Sequence, residues 1–253
     1  MLERRYPPLV PAARLTRGTA LVLAPHPDDE VAACGGMLLH HVDAGLPVEV
    51  AFLTDGARGS WKTAADPDYV GLREREARAA CAFLGTRAPR FLGFPDGGLA
   101  ADEHLVGAVR ALLREIRPEV VYCPSFFEIH GDHRRTARAL MEALEGADLD
   151  PLLLFAELGA PVWANVLVDI TAVMERKVRA LRHYESQLSA NDYAPAMKGL
   201  NQYRTVNIDI QGVDCAEAFL AGRRRELVAI PPLVDRIAAL ADRAVPDDWT
   251  RPG

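Results

Sequence analysis

The feature that most constrains the fold is an alternation, within the first 150 residues, of short apolar runs and segments with helical periodicity. An apolar stripe at helical spacing follows each run, and Gly45, Gly85 and Pro118 stand where three of these stripes end. Strands that alternate with helices predict an α/β fold with a Rossmann-like, mostly parallel sheet and helices on both faces. The four apolar runs, each typical of a buried strand, are residues 20–24, 48–53, 90–94 and 120–123.

The alternation stops near residue 150, and a different pattern follows. We interpret residues 151–253 as a C-terminal extension of helices and strands that shapes a pocket on the core formed by residues 19–150. The expected organisation is a single domain over residues 1–253. In order, the later segments are strand-like runs at 152–155 and 166–170, a helical pattern at 173–183, a polar stretch at 186–202, and helical patterns around Phe219 and at 233–240.

Composition limits the possible partners. The 253 residues carry a formal net charge of −6, whereas proteins that bind nucleic acid present a basic face to the phosphates. No window reaches the ~20 apolar residues that cross a bilayer. The cysteines at 34, 81, 123 and 215 are too scattered for a disulfide framework or a paired metal site, which predicts buried thiols in a reducing compartment. We expect a cytoplasmic protein that binds a small polar molecule, with no nucleic-acid or membrane partner, and the oligomeric state stays open.

Polar residues cluster directly after the first and fourth predicted strands. The first cluster runs from Pro25 to Glu30 and contains His26, Asp28 and Asp29. The second, at residues 125–133, ends in His130, Gly131, Asp132 and His133. Ligands of open α/β sheets bind beyond the carboxyl ends of the strands. We therefore expect both clusters to line one crevice.

These residue types are typical of a catalytic metal site. Zinc commonly takes three nitrogen or oxygen ligands from the protein and keeps a fourth position open. His26 and Asp29, three residues apart across a strand-to-helix turn, can reach one ion, and His133 can supply the third ligand. The expected cofactor is Zn²⁺, although the same ligands also admit Fe²⁺, manganese or cobalt.

The remaining polar residues suggest catalytic roles. Asp28 is left beside the metal as a candidate general base for the attacking water. His130 is positioned to stabilise an oxyanion or to protonate a leaving amine, and Asp132 to orient one of the imidazoles. A simpler interpretation stays open, because carboxylates after a strand also cap helices and a single histidine is often structural.

At these residues the sequence resembles the PIG-L/LmbE family of zinc-dependent N-deacetylases. The resemblance rests on residues 25–30 and 130–133 and extends over residues 19–190, with Gly131 where many relatives carry proline. It implies metal ligation by His26, Asp29 and His133, a general base at Asp28, and intermediate stabilisation by His130 with Asp132 behind it. Weaker matches lie at residues 54–56, 73, 76, 93–99, 183, 186 and 187.

Two further residues acquire a role only from the resemblance. Arg73 corresponds to an arginine that holds the polar substrate in related enzymes, yet by sequence alone it passes as a surface residue of a helix. Asp96 binds sugar hydroxyls or merely forms the turn with the glycines that follow it. His40 and His41, at the far end of the first predicted helix, are not part of the resemblance, and we expect them on the surface.

The function implied is hydrolysis of an acetamide in an N-acetylglucosamine-containing small molecule, releasing acetate and a free amine. The closest alternative is an amidase for a larger acyl group or a thiol conjugate. Among other classes, a nucleotide-binding Rossmann-like protein is disfavoured because the first turn of this chain lacks the glycine fingerprint. A two-metal phosphoesterase is disfavoured because we locate no bridging carboxylates in the sequence. A non-catalytic metal-binding protein would not account for Asp28, which is not needed as a ligand. The loops at 57–68 and 189–202 are expected to select the substrate.

Overall fold

The computed structural model describes residues 7–59 and 68–244. The first six residues of the leader, and residues 60–67 of the loop predicted at 57–68, lie outside the described residues. None of the helices in the described ranges combines the length and the apolar character needed to cross a bilayer.

The described chain forms one sheet with helices packed around it. Its seven strands lie in the order β3-β2-β1-β4-β5-β7-β6, parallel except where β7 pairs with β5 and with β6. This confirms the predicted α/β class. The strands are β1 (Ala20–Ala24), β2 (Val48–Thr54), β3 (Arg90–Phe94), β4 (Val120–Pro124), β5 (Leu152–Ala156), β6 (Val166–Asp169) and β7 (Ala216–Gly222), and the helices are α1 (Asp29–Asp43), α2 (Tyr69–Leu84), α3 (Glu103–Ile116), α4 (Gly131–Ala143), α5 (Met174–Leu181), α6 (Glu185–Leu188), α7 (Ala194–Tyr203), α8 (Arg224–Leu227) and α9 (Ile230–Ala244).

The strand order creates the crevice that the polar clusters require. β1 pairs with β2 on one side and with β4 on the other. The chain therefore adds β2 and β3 on one side of β1 and then continues the sheet on the other side with β4. In open α/β sheets this switch point is where ligands bind, beyond the carboxyl ends of the strands. The loops that begin at Pro25 and at Ser125 leave β1 and β4 at that edge.

The C-terminal extension contributes to the same sheet rather than only covering it. β5 pairs with β4, and β7 then pairs antiparallel with β5 and β6. The helix predicted around Phe219 is wrong, because Phe219 lies in β7 and is fully buried. A short apolar run buried on both faces carries no periodicity that separates a strand from a helix. The polar stretch at 186–202 contains most of α6 and α7.

A buried ion pair connects the extension to α1. Cys34 interrupts α1 with non-helical dihedral angles (φ −142°, ψ 16°). The second part of the helix begins there, and its free N–H groups at Gly36 and Met37 donate to the Glu217 carboxylate at 2.7 and 2.9 Å. Lys177 neutralises Glu217 at 2.8 Å, and both side chains are almost fully buried. The helix that starts with Asp29 is thereby fixed against β7 and α5.

Burial contradicts the prediction made for His41 and confirms the prediction made for the cysteines. His41 is fully buried and lies 2.9 Å from the Tyr122 hydroxyl, so its predicted surface position is wrong. The last turn of α1 packs against β4, and no local sequence pattern predicts this contact. The four cysteines are buried free thiols, as predicted.

Candidate metal centre and active site

A strained turn after β1 positions the first polar cluster. Asp28 has φ 118°, a conformation that residues other than glycine rarely adopt. The backbone N–H of His26 donates to Asp29 Oδ2 at 2.8 Å, which closes the turn. Such strain costs on the order of 1–3 kcal/mol and persists where the surrounding structure imposes it, as it often does at functional sites.

The three predicted ligands converge on one point. His26 Nδ1 lies 3.1 Å from Asp29 Oδ2, and His133 Nε2 lies 3.3 Å from the same oxygen. The remaining separation, between His133 Nε2 and His26 Nδ1, is 3.3 Å. Ligand atoms about 2.1 Å from a tetrahedral zinc lie about 3.4 Å apart, so these three atoms have the spacing of three tetrahedral corners.

Further carboxylates lie against the other nitrogen of His26. Its Nε2 is 3.1 Å from Asp96 Oδ1 and 3.3 Å from Asp132 Oδ2. Burial lowers the pKa of His26, but hydrogen bonds to the surrounding carboxylates more than compensate and raise it well above its ordinary value. The pKa of His133, opposed by burial in the same way, is raised to about 9 chiefly by Asp29. The site therefore favours positive charge, which fits a cation.

Two overlapping groups of side chains also bring one potential ligand atom each within 4.8 Å of the others. His26 and His130 belong to both groups. Neither group includes Asp29, whose carboxylate contacts both of the histidines in the predicted triad. The two groups are His26 with His130 and His133, and His26 with Asp96, His130 and Asp132.

His130 and Asp132 are connected by a backbone hydrogen bond. The backbone N–H of Asp132 donates to His130 Nδ1 at 3.2 Å, while the Asp132 carboxylate accepts from Gly97 N at 2.7 Å and faces His26. The Asp132 side chain thus contacts the imidazole of His26, while its backbone N–H contacts that of His130. Because Nδ1 of His130 is an acceptor, its neutral ring carries the proton on Nε2. Burial and the neighbouring imidazoles lower the pKa of His130, which favours that neutral donor.

Asp28 lies beside the triad with partners of its own. Burial raises its pKa to about 6, against the opposing effect of Arg73, whose Nη2 is 3.8 Å from Asp28 Oδ1. The Tyr193 hydroxyl donates to Asp28 Oδ2 at 2.5 Å. A cation beside Asp28 lowers that pKa again and keeps the carboxylate ionised.

Arg73 is not the surface residue that its helix pattern alone suggests. Only 1% of it is exposed, and Nη2 donates to the carbonyl of Pro27. Within the described residues its Nε and Nη1 find no hydrogen-bond partner, although both are buried. Buried guanidinium donors without partners are costly, and a polar ligand in the adjoining cavity can satisfy them.

Sequence reasoning missed two residues that complete the site. Glu128 Oε2 lies 3.4 Å from His133 Nδ1, and Glu128 also accepts the backbone N–H groups of Leu158 and Gly159 at 2.8 and 3.0 Å. Its position in the second cluster, five residues before His133, was a usable signal. Tyr193 comes from the extension, 165 residues from Asp28, and no sequence pattern connects the two.

Weaker sequence matches also meet in space. The Glu76 carboxylate accepts from Ser186 N at 2.7 Å and from Ser186 Oγ at 2.6 Å. Gln187 Nε2 lies 2.6 Å from the Tyr69 hydroxyl. These bonds hold the segment before Tyr193 against α2, the helix that carries Arg73.

Two cavities meet at Asp28 and His130, which line both. One has a volume of about 330 Å³ and a wall of polar residues and glycines. The other, of about 550 Å³, has a largely apolar wall. A cavity of about 850 Å³ near Tyr203 contains none of the predicted site residues, so size alone does not identify the site. The polar wall includes Arg58, Arg73, Asp96 and Gln187, and the apolar wall includes Ile129, Leu158, Tyr193 and Met197.

The sequence and the fold resemble those of known proteins. The family model described as "PIG-L: GlcNAc-PI de-N-acetylase" matches residues 21–144. A diacetylchitobiose deacetylase of Thermococcus kodakarensis is 32% identical over 66% of this chain and 69% of its own. A 1D-myo-inositol 2-acetamido-2-deoxy-alpha-D-glucopyranoside deacetylase of Rhodococcus erythropolis is 28% identical over 84% of this chain and 82% of its own. The structure of N,N'-diacetylchitobiose deacetylase from Pyrococcus horikoshii superposes with a TM-score of 0.73, at 24% identity, over 86% of this chain and 88% of that one, a likeness in fold.

The chain therefore belongs to the PIG-L (LmbE-like) deacetylase family. Its homologues are deacetylases of compounds that contain N-acetylglucosamine.

Proposed function

We propose that this chain is a metal-dependent hydrolase that removes the acetyl group from an N-acetylglucosamine-containing small molecule. The observation that carries the proposal is the convergence of His26 Nδ1, Asp29 Oδ2 and His133 Nε2 within 3.3 Å of one another, with Asp28 beside them. Family membership supports the reaction class, but a fold hosts many reactions and the site must specify the chemistry.

We assign the metal to His26, Asp29 and His133. Two imidazoles and one carboxylate suit Zn²⁺, and Fe²⁺ can bind the same donors. When bound, the metal supplies a water acidic enough to attack near neutral pH and polarises the acetamide carbonyl. Asp96 and Asp132 hold the Nε2 side of His26, as carboxylates outside a metal's ligand shell commonly do.

Asp28 and His130 have different roles in the proton transfers. Asp28 takes a proton from water as the C–O bond to the acetyl carbon forms. His130 donates its Nε2–H to the oxygen that gains negative charge. The C–N bond breaks when a proton reaches nitrogen from Asp28 or His130, so acetate and the free amine leave. Arg73, through its buried donors, and Asp96, through the polar cavity, bind the sugar.

We also propose that the enzyme works in the cytoplasm on a small-molecule substrate. Four buried thiols without disulfides suit a reducing compartment. The net charge of −6 disfavours a nucleic-acid partner.

The proposal is tested by metal analysis together with acetate release. Purified protein with about one zinc per chain is expected to release acetate from N-acetylglucosamine and diacetylchitobiose, and to lose that activity on chelation. Metal binding without acetate release from any acetylated amino sugar contradicts the proposal and leaves a non-catalytic metal-binding protein. Faster hydrolysis of bulky N-acyl amides favours the amidase alternative instead.

A further inference from the structure

We propose that the cavity of about 550 Å³ beside Asp28 and His130 is a subsite for an apolar aglycone, an aliphatic or aromatic group attached to the anomeric carbon of the amino sugar. The inference rests on the proposed deacetylase function and specifies its substrate class. The cavity opens onto both groups that we assign to proton transfer, so an occupant is part of the reacting molecule.

The far wall of the cavity is apolar. Ile129 extends from the loop that carries His130, and Leu158 follows β5, while Met197 comes from α7. Ile129 is 74% exposed although it stands at the entrance of a cavity in the active site. One exposed apolar side chain is common on protein surfaces, but Ile129 lines a single cavity together with the half-buried Leu158 and Met197, which indicates an apolar ligand.

The carboxylates that line this cavity already accept hydrogen bonds. Asp28 accepts from Tyr193 at 2.5 Å, and Glu128 accepts from Leu158 N at 2.8 Å. Among the described residues that line the cavity, Asn191 is the one amide side chain. An alkyl or aryl group gains free energy by leaving water for the apolar side chains of this cavity, whereas a polyhydroxy aglycone gains less.

The cavity borders the proposed ligands Asp29 and His133, so the acetyl group lies at that end but fills only a small part of the volume of about 550 Å³. In the proposed reaction the acyl part ends in one methyl, whereas the anomeric carbon adjoins the ring carbon that carries the amide and directs its substituent away from the sugar. The polar cavity on the other side of His130, lined by Arg58, Arg73 and Gln187, suits the sugar hydroxyls. The apolar cavity then receives the aglycone.

The test measures kcat/KM for acetate release from methyl, propyl and hexyl N-acetylglucosaminides, and for hexanoate release from N-hexanoylglucosamine. We expect kcat/KM to rise about 2- to 4-fold for each methylene of the aglycone, since each one leaves water. Equal values across the glycosides overturn the inference while leaving the proposed function intact. Faster hydrolysis of N-hexanoylglucosamine than of the hexyl glycoside assigns the cavity to the acyl group and also overturns it. Absence of acetate from every glycoside contradicts the proposed function itself.

Variants locate the effect in the cavity. Ile129→Asp introduces a charge at its entrance and is expected to lower the hexyl-to-methyl ratio of kcat/KM at least 10-fold, with Met197→Asp as a second case. Val206→Asp is the matched control, because Val206 is 72% exposed and lies outside the cavity lining, and its ratio is expected to stay unchanged. A ratio unchanged in both cavity variants overturns the assignment.

Discussion

The two halves of the sheet contribute differently to the site. The N-terminal half, from β1 to α4, supplies the proposed ligands and the proposed base on loops that leave β1 and β4. The C-terminal extension supplies the surroundings: Tyr193 against Asp28, the N–H groups of Leu158 and Gly159 against Glu128, and Leu158 and Met197 in the apolar cavity wall. The reacting groups come from short local motifs, whereas the groups that position them and select the substrate come from distant parts of the chain.

The comparison predicts that changes in the N-terminal half abolish the reaction, while changes in contacts to the extension attenuate it. His133→Ala is expected to have the largest effect, because it removes one of three proposed ligands. Metal content is expected to fall well below one per chain, and acetate release to fall to background. His104→Ala, which alters an exposed histidine of α3, is the control. A stoichiometric zinc content in His133→Ala contradicts the ligand assignment.

Asp28→Asn separates metal binding from proton transfer. The amide keeps the shape of the carboxylate but cannot accept the proton from water, so kcat is expected to fall about 10²- to 10⁴-fold. Metal content, measured by elemental analysis, is expected to stay near that of the unaltered protein. Full activity with metal bound excludes Asp28 as the base.

Glu128→Gln tests whether Glu128, which accepts hydrogen bonds from the extension, positions His133. Loss of the carboxylate weakens the orientation of the imidazole, and zinc affinity is expected to fall about 10- to 100-fold in chelator competition. Activity is expected to return when zinc is in excess. Glu142→Gln, an exposed change on α4, serves as the matched control. If zinc affinity is the same in both variants, Glu128 does not position His133.

Tyr193→Phe has the smallest expected effect. It removes one hydroxyl that donates to Asp28, a hydrogen bond worth about 0.5–1.5 kcal/mol, so kcat/KM is expected to fall roughly 2- to 10-fold with metal content unchanged. Tyr203→Phe, at the exposed end of α7, is the control and is expected to retain full activity. Equal activities of the two variants show that the hydroxyl does not contribute.

Local patterns predicted the first half of the fold closely. The run predicted at 48–53 is β2, Val48–Thr54, and the helix predicted to end at Gly85 is α2, Tyr69–Leu84. Apolar periodicity and terminating glycine or proline residues are properties of neighbouring residues, so they can be read without knowledge of the tertiary structure. The same patterns failed at Phe219, where a strand buried on both faces has no period to distinguish it from a helix.

Burial was the main quantity that local patterns misjudged. His41 and Arg73 lie on helices where a polar residue normally faces water, yet one is fully buried and the other 1% exposed. His41 is buried because it packs against Tyr122 of β4, and Arg73 is buried beside the polar cavity. That depends on how the helices pack and not on the residues alongside.

The sequence by itself determined the alternating α/β core and the polar residues that follow β1 and β4, because both depend on short-range order along the chain. Only the tertiary structure decided that Asp132 and Asp96 face His26, that Glu128 and Tyr193 complete the site, and that an apolar cavity adjoins a polar one. Those contacts join residues as many as 165 positions apart, at distances set by strand order and helix packing.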